Sequence, residues 1–286
     1  MSTTQGPVVL VTGCSAGGIG YYLCEEFARR GCKVYATARN VSKLSGLSPN
    51  IHQLQLDVTS DSSISSAVQT ILQNDGCIDI LVNNAGVMAA GALLDKTDEE
   101  VTKAFDANTF SVLRMCRAVV RSMAERGKGL IVNISSVTER LSTPWNGLYC
   151  ANKAAVRAIS DVLEMECKPL GIHVMNIAPG SVRSNITNTQ LEGFAIPETS
   201  LWKAYLPSII RRINASQTSS SMETGEFARR VVDQILEKRG RNGEVQVRRK
   251  MVSHLIEGGN KTFFKILRVV PRSWVLWLMW RIYGKT

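Results

Sequence analysis

The sequence predicts a single α/β domain built on a doubly wound parallel sheet, followed by an amphipathic C-terminal extension. Apolar, strand-like runs alternate with amphipathic helical segments, which is typical of a parallel sheet with helices on both faces. A glycine-rich loop follows the first run, at the edge where such sheets bind ligands. The 286 residues are 44% hydrophobic and 20% charged, which excludes a disordered or fibrous chain.

The predicted elements follow one another in regular order. The first run, VVLVT, leads through the glycine loop into a helical segment that ends at Gly31. Residues 98–127 are long enough for one or two helices. Residues 181–222 are predicted to be mostly loops that form a lid or wall over the substrate. Predicted strands cover 8–12, 33–39, 51–58, 78–86, 130–136, 172–180 and 243–249, and predicted helices cover 20–31, 63–73, 98–127, 149–171 and 224–240.

The seven cysteines are an odd number without a CxxC pair. Several lie inside apolar runs, so we expect reduced, buried thiols rather than a disulfide framework, and no bound metal. The N-terminal MSTTQGPVVLVTG has neither a basic segment nor a long apolar stretch, so no signal peptide is predicted. These features indicate a cytosol-facing protein.

The loop TGCSAGGIG at 12–20 has the features of a phosphate-binding turn. Its glycines allow the backbone to approach a pyrophosphate, and the following helix supplies amide groups and a positive dipole end. A strand before the loop and a helix after it are the context that a Rossmann-like dinucleotide site requires. The second strand ends in ATARN, where an NAD site normally has a carboxylate. Arg39 stands there instead, and its guanidinium suits the 2′-phosphate of NADP.

Side chains suited to acid–base chemistry lie near the carboxyl ends of two predicted strands. Tyr149 and Lys153 are four residues apart and therefore share one face of a helix. An ammonium group stabilises a nearby phenolate, so Lys153 is expected to lower the pKa of Tyr149. Ser136 ends the strand before this helix, and NNAG at 83–86 ends the preceding strand. Their joint occurrence predicts a catalytic site at this edge of the sheet.

In their order and spacing, these motifs resemble those of the short-chain dehydrogenases/reductases. The resemblance implies that Tyr149 protonates a ketone oxygen, Lys153 holds the nicotinamide ribose and Ser136 polarises the carbonyl. It further implies that Asn108 orders a proton-relay water and that NADPH is the cofactor. The cofactor-binding residues that it implies are Gly13, Ser15, Gly18, Ile19, Gly20, Arg39, Asp57, Asn83, Ala85, Gly86, Tyr149, Lys153, Pro179, Gly180, Val182 and Ser184.

Two positions depart from the family's pattern. The usual glycine motif is T-G-x-x-x-G-x-G, and this loop has one residue too many when it is matched to Gly18 and Gly20. Either Gly17 or Gly18 therefore takes the middle role. Ser184 stands where threonine is commoner, and it retains the hydroxyl.

The motifs TGCSAGGIG, YATARN and NNAGV are also similar to those of the fungal NADPH-dependent 1-acyldihydroxyacetone-phosphate reductases. This narrower resemblance implies reduction of a lipid ketone to lysophosphatidic acid in glycerolipid synthesis. A hydroxysteroid or another lipid carbonyl is the alternative substrate. A homodimer is a further expectation, because the family often pairs through its long helices. In or near the predicted lid, Arg183, Arg211 and Arg212 are candidates for binding a substrate phosphate.

Two other function classes remain open on the sequence alone. GCSAG at 13–17 has the spacing of a lipase nucleophile elbow, with Ser15 as the nucleophile of a lipid ester hydrolase. That chemistry also needs a histidine and a carboxylate in reach, and His52 and His173 are expected to be structural. A non-catalytic scaffold on a lipid surface is disfavoured by the complete set of Ser136, Tyr149, Lys153 and Asn108.

The net charge of +10 is unevenly distributed. Residues 1–200 hold 17 basic and 18 acidic residues, whereas residues 201–286 hold 17 basic and 6 acidic residues. We therefore divide the chain into an NADP-binding reductase domain, 1–250, and a basic, tryptophan-rich segment, 251–286. The longest apolar run of that segment, WVLWLMW, is too short to span a bilayer.

Aromatic rings interspersed with cations suit an interfacial helix on anionic lipid. We therefore expect a peripheral protein on the endoplasmic reticulum membrane or a lipid droplet. The alternative is a tail packed over the substrate pocket or against a dimer partner. Nucleic acid is not an expected partner, because the basic residues are accompanied by bulky aliphatic ones.

Overall fold

The computed structural model describes residues 6–239, 244–248 and 250–285. Nine strands form in the described chain: β1 (Val8–Val11), β2 (Lys33–Ala38), β3 (His52–Gln55), β4 (Ile80–Asn83), β5 (Gly129–Ile134), β6 (Ile172–Pro179), β7 (Leu236–Arg239), β8 (Glu244–Val247) and β9 (His254–Glu257). The α-helices are α1 (Ile19–Arg29), α2 (Asp61–Asp75), α3 (Asp98–Phe105), α4 (Ser111–Glu125), α5 (Gly147–Cys167), α6 (Ile186–Glu192), α7 (Leu206–Ile213), α8 (Thr224–Ile235), α9 (Lys261–Leu267) and α10 (Arg272–Tyr283).

The main sheet has seven parallel strands in the order β3-β2-β1-β4-β5-β6-β9. The predicted doubly wound fold is therefore confirmed. The strand order reverses between the parallel neighbours β1 and β4, so the connections that leave their carboxyl ends run in opposite directions and leave a crevice, the position where such folds bind ligands.

Two apolar clusters cover the two faces of this sheet. On β1, Val9 and Val11 belong to the cluster that includes Phe27 of α1 and Phe227 of α8. The alternate residues of the strand belong to the other cluster, which includes Met115 of α4. Because successive strand residues point to opposite faces, an uninterrupted apolar run such as VVLV is required for a strand that is covered on both sides.

The long helical region 98–127 is divided in the structure. A capping box at Thr97 and Glu100 begins α3, and a π-helical turn, Asp106–Phe110, separates it from α4. Such widened turns occur mostly at functional sites, and this one contains Asn108.

The last predicted elements differ from those observed. The helix predicted over 224–240 ends at Ile235, and the chain continues directly into β7. Within 243–249, β8 forms as expected but pairs antiparallel with β7 and not with the main sheet. Positions 240, 243 and 249 of these two predictions lie outside the described residues. The seventh strand of the main sheet is β9, which lies inside the segment 251–286 and pairs with β6.

Residues 181–222 contain more helix than the sequence predicts. They include α6 and α7, and α7 buries Ile209 and Ile213 against Trp145. This region therefore forms a packed wall beside the carboxyl edge of the sheet.

The C-terminal helices pack onto the domain along one side only. Leu267, Val275 and Met279 are buried against Leu141, and the Trp145 indole donates a hydrogen bond to the Tyr283 carbonyl (2.8 Å). The inner side of α10 lines the pocket, as expected from the alternative in which the C-terminal tail packs over the pocket. On the outer side, Trp274 and Trp277 are exposed, whereas the partly exposed ring of Trp280 contacts Trp145 and Tyr205. In the part of the chain that the structure describes, none of the helices has the length and apolar character needed to cross a membrane.

All seven cysteines have free thiols. Six of them are buried, and Cys77 is partly exposed.

Candidate active site

A cavity of about 780 Å³ opens at the carboxyl edge of the main sheet. It is bounded by the loops after all of the strands β1 to β6, by the wall containing α7, and by α10. Most of the predicted catalytic and cofactor-binding residues line it: Gly13, Ser15, Gly18, Ile19, Arg39, Asp57, Ala85, Gly86, Ser136, Tyr149, Lys153, Pro179, Gly180, Val182 and Ser184. The other three, Gly20, Asn83 and Asn108, lie outside its lining.

The glycine loop accommodates its additional residue at Gly17. This glycine has a φ of +76°, a left-handed conformation that residues with a Cβ adopt at a cost. Gly18 then becomes the residue before α1 and lines the cavity, so Gly18 takes the middle role. No side chain caps the start of α1, which leaves its first amides available to a pyrophosphate.

Gly20 acts through packing and not through the cavity. A Cβ at this position would lie 2.5 Å from Asn84 Nδ2 and 2.7 Å from the Gly13 carbonyl oxygen. Asn84 itself was not predicted, yet it lines the cavity and its amide donates to the carbonyls of Thr12 (2.9 Å) and Gly13 (2.8 Å). Asn84 is the second asparagine of the NNAG motif, whereas the family resemblance implies a cofactor-binding role for the first, Asn83.

Asn83 lies below the cavity floor. Its amide donates to Asn133 Oδ1 (2.9 Å), and Asn133 donates to Ser160 Oγ (2.9 Å). This buried chain of hydrogen bonds ties β4 and β5 to α5, so Asn83 supports the catalytic helix from underneath.

The far end of the cavity fits the adenosine half of NADP. Arg39 is exposed at the end of β2 and faces the cavity, where it can reach a 2′-phosphate. Asp57 accepts hydrogen bonds from the hydroxyl (2.7 Å) and the amide (2.9 Å) of Thr59. The Thr59 hydroxyl, with the Thr59 amide and Arg39, holds the pKa of Asp57 below its usual value despite partial burial.

The catalytic candidates meet where β5 ends and α5 begins. Lys153 Nζ donates to the Ile134 carbonyl (2.8 Å) and lies 5.6 Å from the centre of the Tyr149 ring. Ser136 and Tyr149 line the same part of the cavity. One turn of α5 separates Tyr149 from Lys153, so the helix fixes their relative position.

Burial moves the pKa values of these two groups in opposite directions. Burial raises the pKa of Tyr149 to about 12, against the opposing effects of Arg212 and Ser136. It lowers the pKa of Lys153 to about 8, against the opposing charge of Glu139. The expectation that Lys153 lowers the Tyr149 pKa was wrong, because burial is the larger effect and the opposing cation is Arg212. Tyr149 is therefore protonated at neutral pH, as a proton donor must be.

Asn108 holds the loop that follows β4. Its side chain accepts a hydrogen bond from the Val87 amide (2.7 Å) and donates one to the Val87 carbonyl (2.9 Å). A Cβ at Gly86 would lie 2.9 Å from Asn108 Oδ1. Asn108 thus fixes the cofactor-facing loop, and its role in a proton relay stays a prediction.

A buried carboxylate lies behind the catalytic residues. Glu139 accepts hydrogen bonds from His254 (2.6 Å) and Asn176 (2.8 Å). Burial opposes its ionisation, but hydrogen bonds from His254, Asn176 and Ser135 outweigh burial and keep its pKa below the usual value. This network, which no sequence pattern predicted, joins the β5 loop to β6 and to the edge strand β9.

Of the three arginines proposed for a substrate phosphate, only Arg212 lines the cavity. Arg183 pairs with Glu223 and donates to the Thr218 carbonyl. Arg211 donates to Ser208 (3.0 Å) and to the Lys285 carbonyl (2.6 Å).

The geometry does not support the ester hydrolase alternative. Ser15 lines the cofactor end of the cavity, but each histidine is engaged elsewhere in the described chain. His52 stacks on Tyr35, His173 contacts Glu164 (3.5 Å), and His254 bonds to Glu139. Ser15 thus has no histidine to act as its base among the described hydrogen bonds.

Comparison with known proteins gives the family of the chain. A family model described as short chain dehydrogenase matches residues 7–193, so the chain belongs to the short-chain dehydrogenase family. Short-chain dehydrogenase ptmH of Penicillium ochrochloron is 37% identical over 235 residues, 81% of this chain and 85% of that protein. The NADPH-dependent 1-acyldihydroxyacetone phosphate reductase of Schizosaccharomyces pombe is 36% identical over 225 residues, 77% of this chain and 75% of that protein. A solved short-chain dehydrogenase from Streptomyces avermitilis has a TM-score of 0.77 at 29% identity and covers 93% of each chain.

Proposed function

We propose that the protein uses NADPH to reduce a ketone on a lipid-like substrate. The proposed substrate is 1-acyldihydroxyacetone phosphate, and the product is 1-acylglycerol 3-phosphate, a precursor of phosphatidic acid. The observation that carries this proposal is the position of Tyr149 in a cavity whose outer wall is the apolar inner side of α10. Met279 and Ile282 of that helix line the cavity and offer an apolar surface to an acyl chain.

The residues of the chain have separate tasks in this reaction. Bound NADPH supplies the hydride that the ketone carbon receives. Gly18 and the start of α1 bind the pyrophosphate, and Arg39 binds the 2′-phosphate. Ser136 donates a hydrogen bond to the ketone oxygen, and Tyr149 transfers its proton to the same oxygen as negative charge develops. Lys153 orients the ribose and keeps positive charge near Tyr149.

The experiment is an NADPH-oxidation assay with three ketones: 1-acyldihydroxyacetone phosphate, a steroid ketone and a cyclic ketone without a lipid chain. We expect the first to have the highest kcat/KM. In Tyr149→Phe, turnover should fall by at least about 100-fold because a general acid is lost, while NADPH binding, followed by fluorescence, should persist. Preference for the steroid would assign the alternative substrate, and unchanged turnover in Tyr149→Phe would overturn the mechanism.

We further propose that the outer side of α9 and α10 binds an anionic lipid surface, at the endoplasmic reticulum or a lipid droplet. Trp274 is 70% exposed and Trp277 is 58% exposed, and the Arg281 guanidinium lies 4.8 Å from the centre of the Trp277 ring. Exposed aromatic rings beside cations suit the headgroup region. The inner side of the same helix lines the cavity, which would place the cavity next to the lipid.

Vesicle sedimentation tests this surface. The double variant Trp274→Gln, Trp277→Gln should lose binding to vesicles that contain phosphatidylserine. A matched control replaces two apolar residues elsewhere that are even more exposed, Leu94 (82%) and Leu201 (85%), by glutamine and should still bind. Equal binding by both double variants would refute the assignment.

The homodimer remains a proposal. Val162 and Met165 of α5 are exposed apolar residues on the outer surface of that long helix, which suits pairing with the same helix of a second copy. Sedimentation of the protein at several concentrations would test it.

A further inference from the structure

We propose that Arg212, Asn146 and Thr143 form a subsite for a phosphate group, at the end of the cavity beside Tyr149. The inference rests on the proposed function, because it assigns the group by which a phosphorylated ketone is held. It also goes further, because it distinguishes substrates by charge and places the charge within a few atoms of the reacting ketone.

Arg212 is a cation held by a hydroxyl group and an aromatic ring. Its Nε donates to Thr143 Oγ1 (2.9 Å), and its Cζ lies 5.3 Å from the centre of the Tyr283 ring. In the described chain no carboxylate pairs with Arg212, and the hydrogen bonds found there engage only Nε. A partly buried cation whose charge no carboxylate compensates carries a desolvation cost. An anionic ligand would remove that cost, and the four N–H groups of the two Nη atoms are available to bind it.

Asn146 is an independent sign of a ligand in the same cavity. Its side chain is only 1% exposed, and neither Oδ1 nor Nδ2 has a hydrogen-bond partner among the described residues. Native proteins seldom leave both polar atoms of a buried amide unpaired. Asn146 directly precedes α5 and lines the cavity, so a ligand beside Tyr149 is within its reach.

The backbone before Asn146 is held in a strained conformation. Trp145 has a φ of +62°, which is uncommon for a residue with a bulky side chain. The bond from its indole to the Tyr283 carbonyl and its contact with the Trp280 ring hold it there. Strain of this kind persists where the surrounding structure fixes a functional group in position. Here it fixes Asn146.

The chemistry of the three side chains fits a phosphate. A guanidinium binds two phosphate oxygens in parallel. The Thr143 hydroxyl accepts from Arg212, so its own proton is free to donate, and the Asn146 amide adds two more donors. A neutral substrate hydroxyl offers too few acceptor lone pairs for these donors and leaves the charge of Arg212 uncompensated.

The kinetic test compares 1-acyldihydroxyacetone phosphate with 1-acyldihydroxyacetone, the same ketone without phosphate. In Arg212→Met, kcat/KM for the phosphorylated ketone should fall about 10- to 100-fold more than for the other, the loss expected for charge-assisted hydrogen bonds. The ratio between the substrates is the readout, because Arg212 also affects the Tyr149 pKa and hence both reactions. Arg211→Met is the matched control, since Arg211 is the adjacent residue outside the lining, and it should leave the ratio unchanged. A ratio that Arg212→Met does not change would overturn the subsite.

A binding test works without turnover. The protein is saturated with NADP⁺ to occupy the Arg39 end, and octyl phosphate and octanol are titrated by calorimetry. Octyl phosphate should bind more tightly, inorganic phosphate should compete with it, and Arg212→Met should abolish the preference. Failure of inorganic phosphate to compete, or a preference retained in Arg212→Met, would contradict the proposal. If octyl phosphate binds as expected but no ketone is reduced, the proposed function fails and the subsite stands.

Asn146→Leu provides a further test, in which stability should rise while ligand binding weakens. Asn146 makes no side-chain cap for α5, so leucine removes two unpaired polar atoms without removing a hydrogen bond. We expect a higher melting temperature together with weaker octyl phosphate binding, as is usual where a binding residue is kept at the expense of stability. A lower melting temperature, or unchanged binding, would show that Asn146 is structural.

Discussion

Tyr149 and Lys153 share one environment and respond to it in opposite ways. Burial disfavours the charged form of each group, so the pKa of Tyr149 rises to about 12 and that of Lys153 falls to about 8. At neutral pH both groups hold their protons. The proposed ketone reduction needs a proton donor, and a protonated Tyr149 meets that need.

The lowered pKa of Lys153 predicts an alkaline limit to reduction. Above a pH of about 8 Lys153 loses its proton, and the site then lacks the cation proposed to orient the ribose. We expect kcat/KM for ketone reduction to be level near neutral pH and to decline through one ionisation near pH 8. A profile that stays level until Tyr149 itself titrates would contradict this assignment.

Glu139 should set the position of that limit. Its carboxylate raises the pKa of Lys153 against the effect of burial, so Glu139→Gln should lower that pKa and move the decline in kcat/KM to lower pH. Glu164→Gln is the control, because Glu164 also pairs with a histidine, His173, but is not among the charges that shift Lys153. A merely structural role for Glu139 would lower activity at all pH values without moving the limit.

The site residues that could be predicted from the sequence are those with a recognisable motif spacing. Residues that reach the site only through tertiary packing could not be recognised in this way. Ser136, Tyr149 and Lys153 have a regular spacing within one strand and one helix. Asn146 lies three residues before Tyr149 but forms no motif, and Arg212 reaches the cavity only because α7 packs against Trp145. The unpaired amide of Asn146 and the lack of a carboxylate beside Arg212, both seen among the described residues, are properties of the folded chain that no local pattern encodes.

Among the elements, α1 packs closely against the loop after β4. At Gly20 the helix backbone leaves no room for a side chain, because a Cβ would meet Asn84 Nδ2 at 2.5 Å. Because Gly20 has no side chain, the start of α1, which is proposed to bind the pyrophosphate, can pack directly against the loop after β4.

Gly20→Ala should push α1 away from this loop. We expect a loss of about 1–3 kcal/mol in the free energy of unfolding from overpacking, with a weaker affinity for NADPH measured by fluorescence titration. Gly193→Ala is the control: a Cβ there meets nothing within 4 Å and the backbone φ is −115°, so stability should be unchanged or slightly higher. Equal effects of the two substitutions would show that the close approach does not matter.

The predicted elements are accurate where an apolar run or a helical repeat is long. They are inaccurate where pairing with another strand determines whether a segment is a helix or a strand. The apolar runs of β1, β4 and β5 and the repeat of α5 fix those elements locally. The helical pattern of α8 continues past Ile235, but the chain turns into β7 because β8 pairs with it. The short strand β9 has only four residues, HLIE, and its identity as a sheet strand depends on its register with Asn176 of β6.

At the scale of the whole molecule, the basic C-terminal region is not separate from the reductase. It contributes β9 to the sheet edge, His254 to the network of Glu139, and α10 to the cavity wall. The uneven distribution of charge along the sequence thus does not mark a boundary between separate structural units.

This arrangement predicts different outcomes for two truncations. A chain that ends at residue 250 lacks β9, leaves β6 with an unpaired edge, and should be insoluble or unfolded. A chain that ends at residue 270 retains β9 and α9, so it should fold and bind NADPH while losing affinity for long-chain ketones. Circular dichroism and NADPH titration of both chains provide the measurement. A folded, NADPH-binding chain that ends at 250 would disprove the structural role of β9.

Because six of the seven thiols are buried, their reactivity distinguishes folded from unfolded chains. Only Cys77 is partly accessible, and burial raises its thiol pKa, which further slows reaction with alkylating reagents. Burial raises the thiol pKa of Cys32 and of Cys116 to about 12. Native chains should therefore resist labelling and oxidation, whereas each unfolding event exposes all seven thiols together. Mass spectrometry after brief alkylation would then count unfolded molecules directly, and the same chemistry would cross-link unfolded chains into aggregates under oxidising conditions.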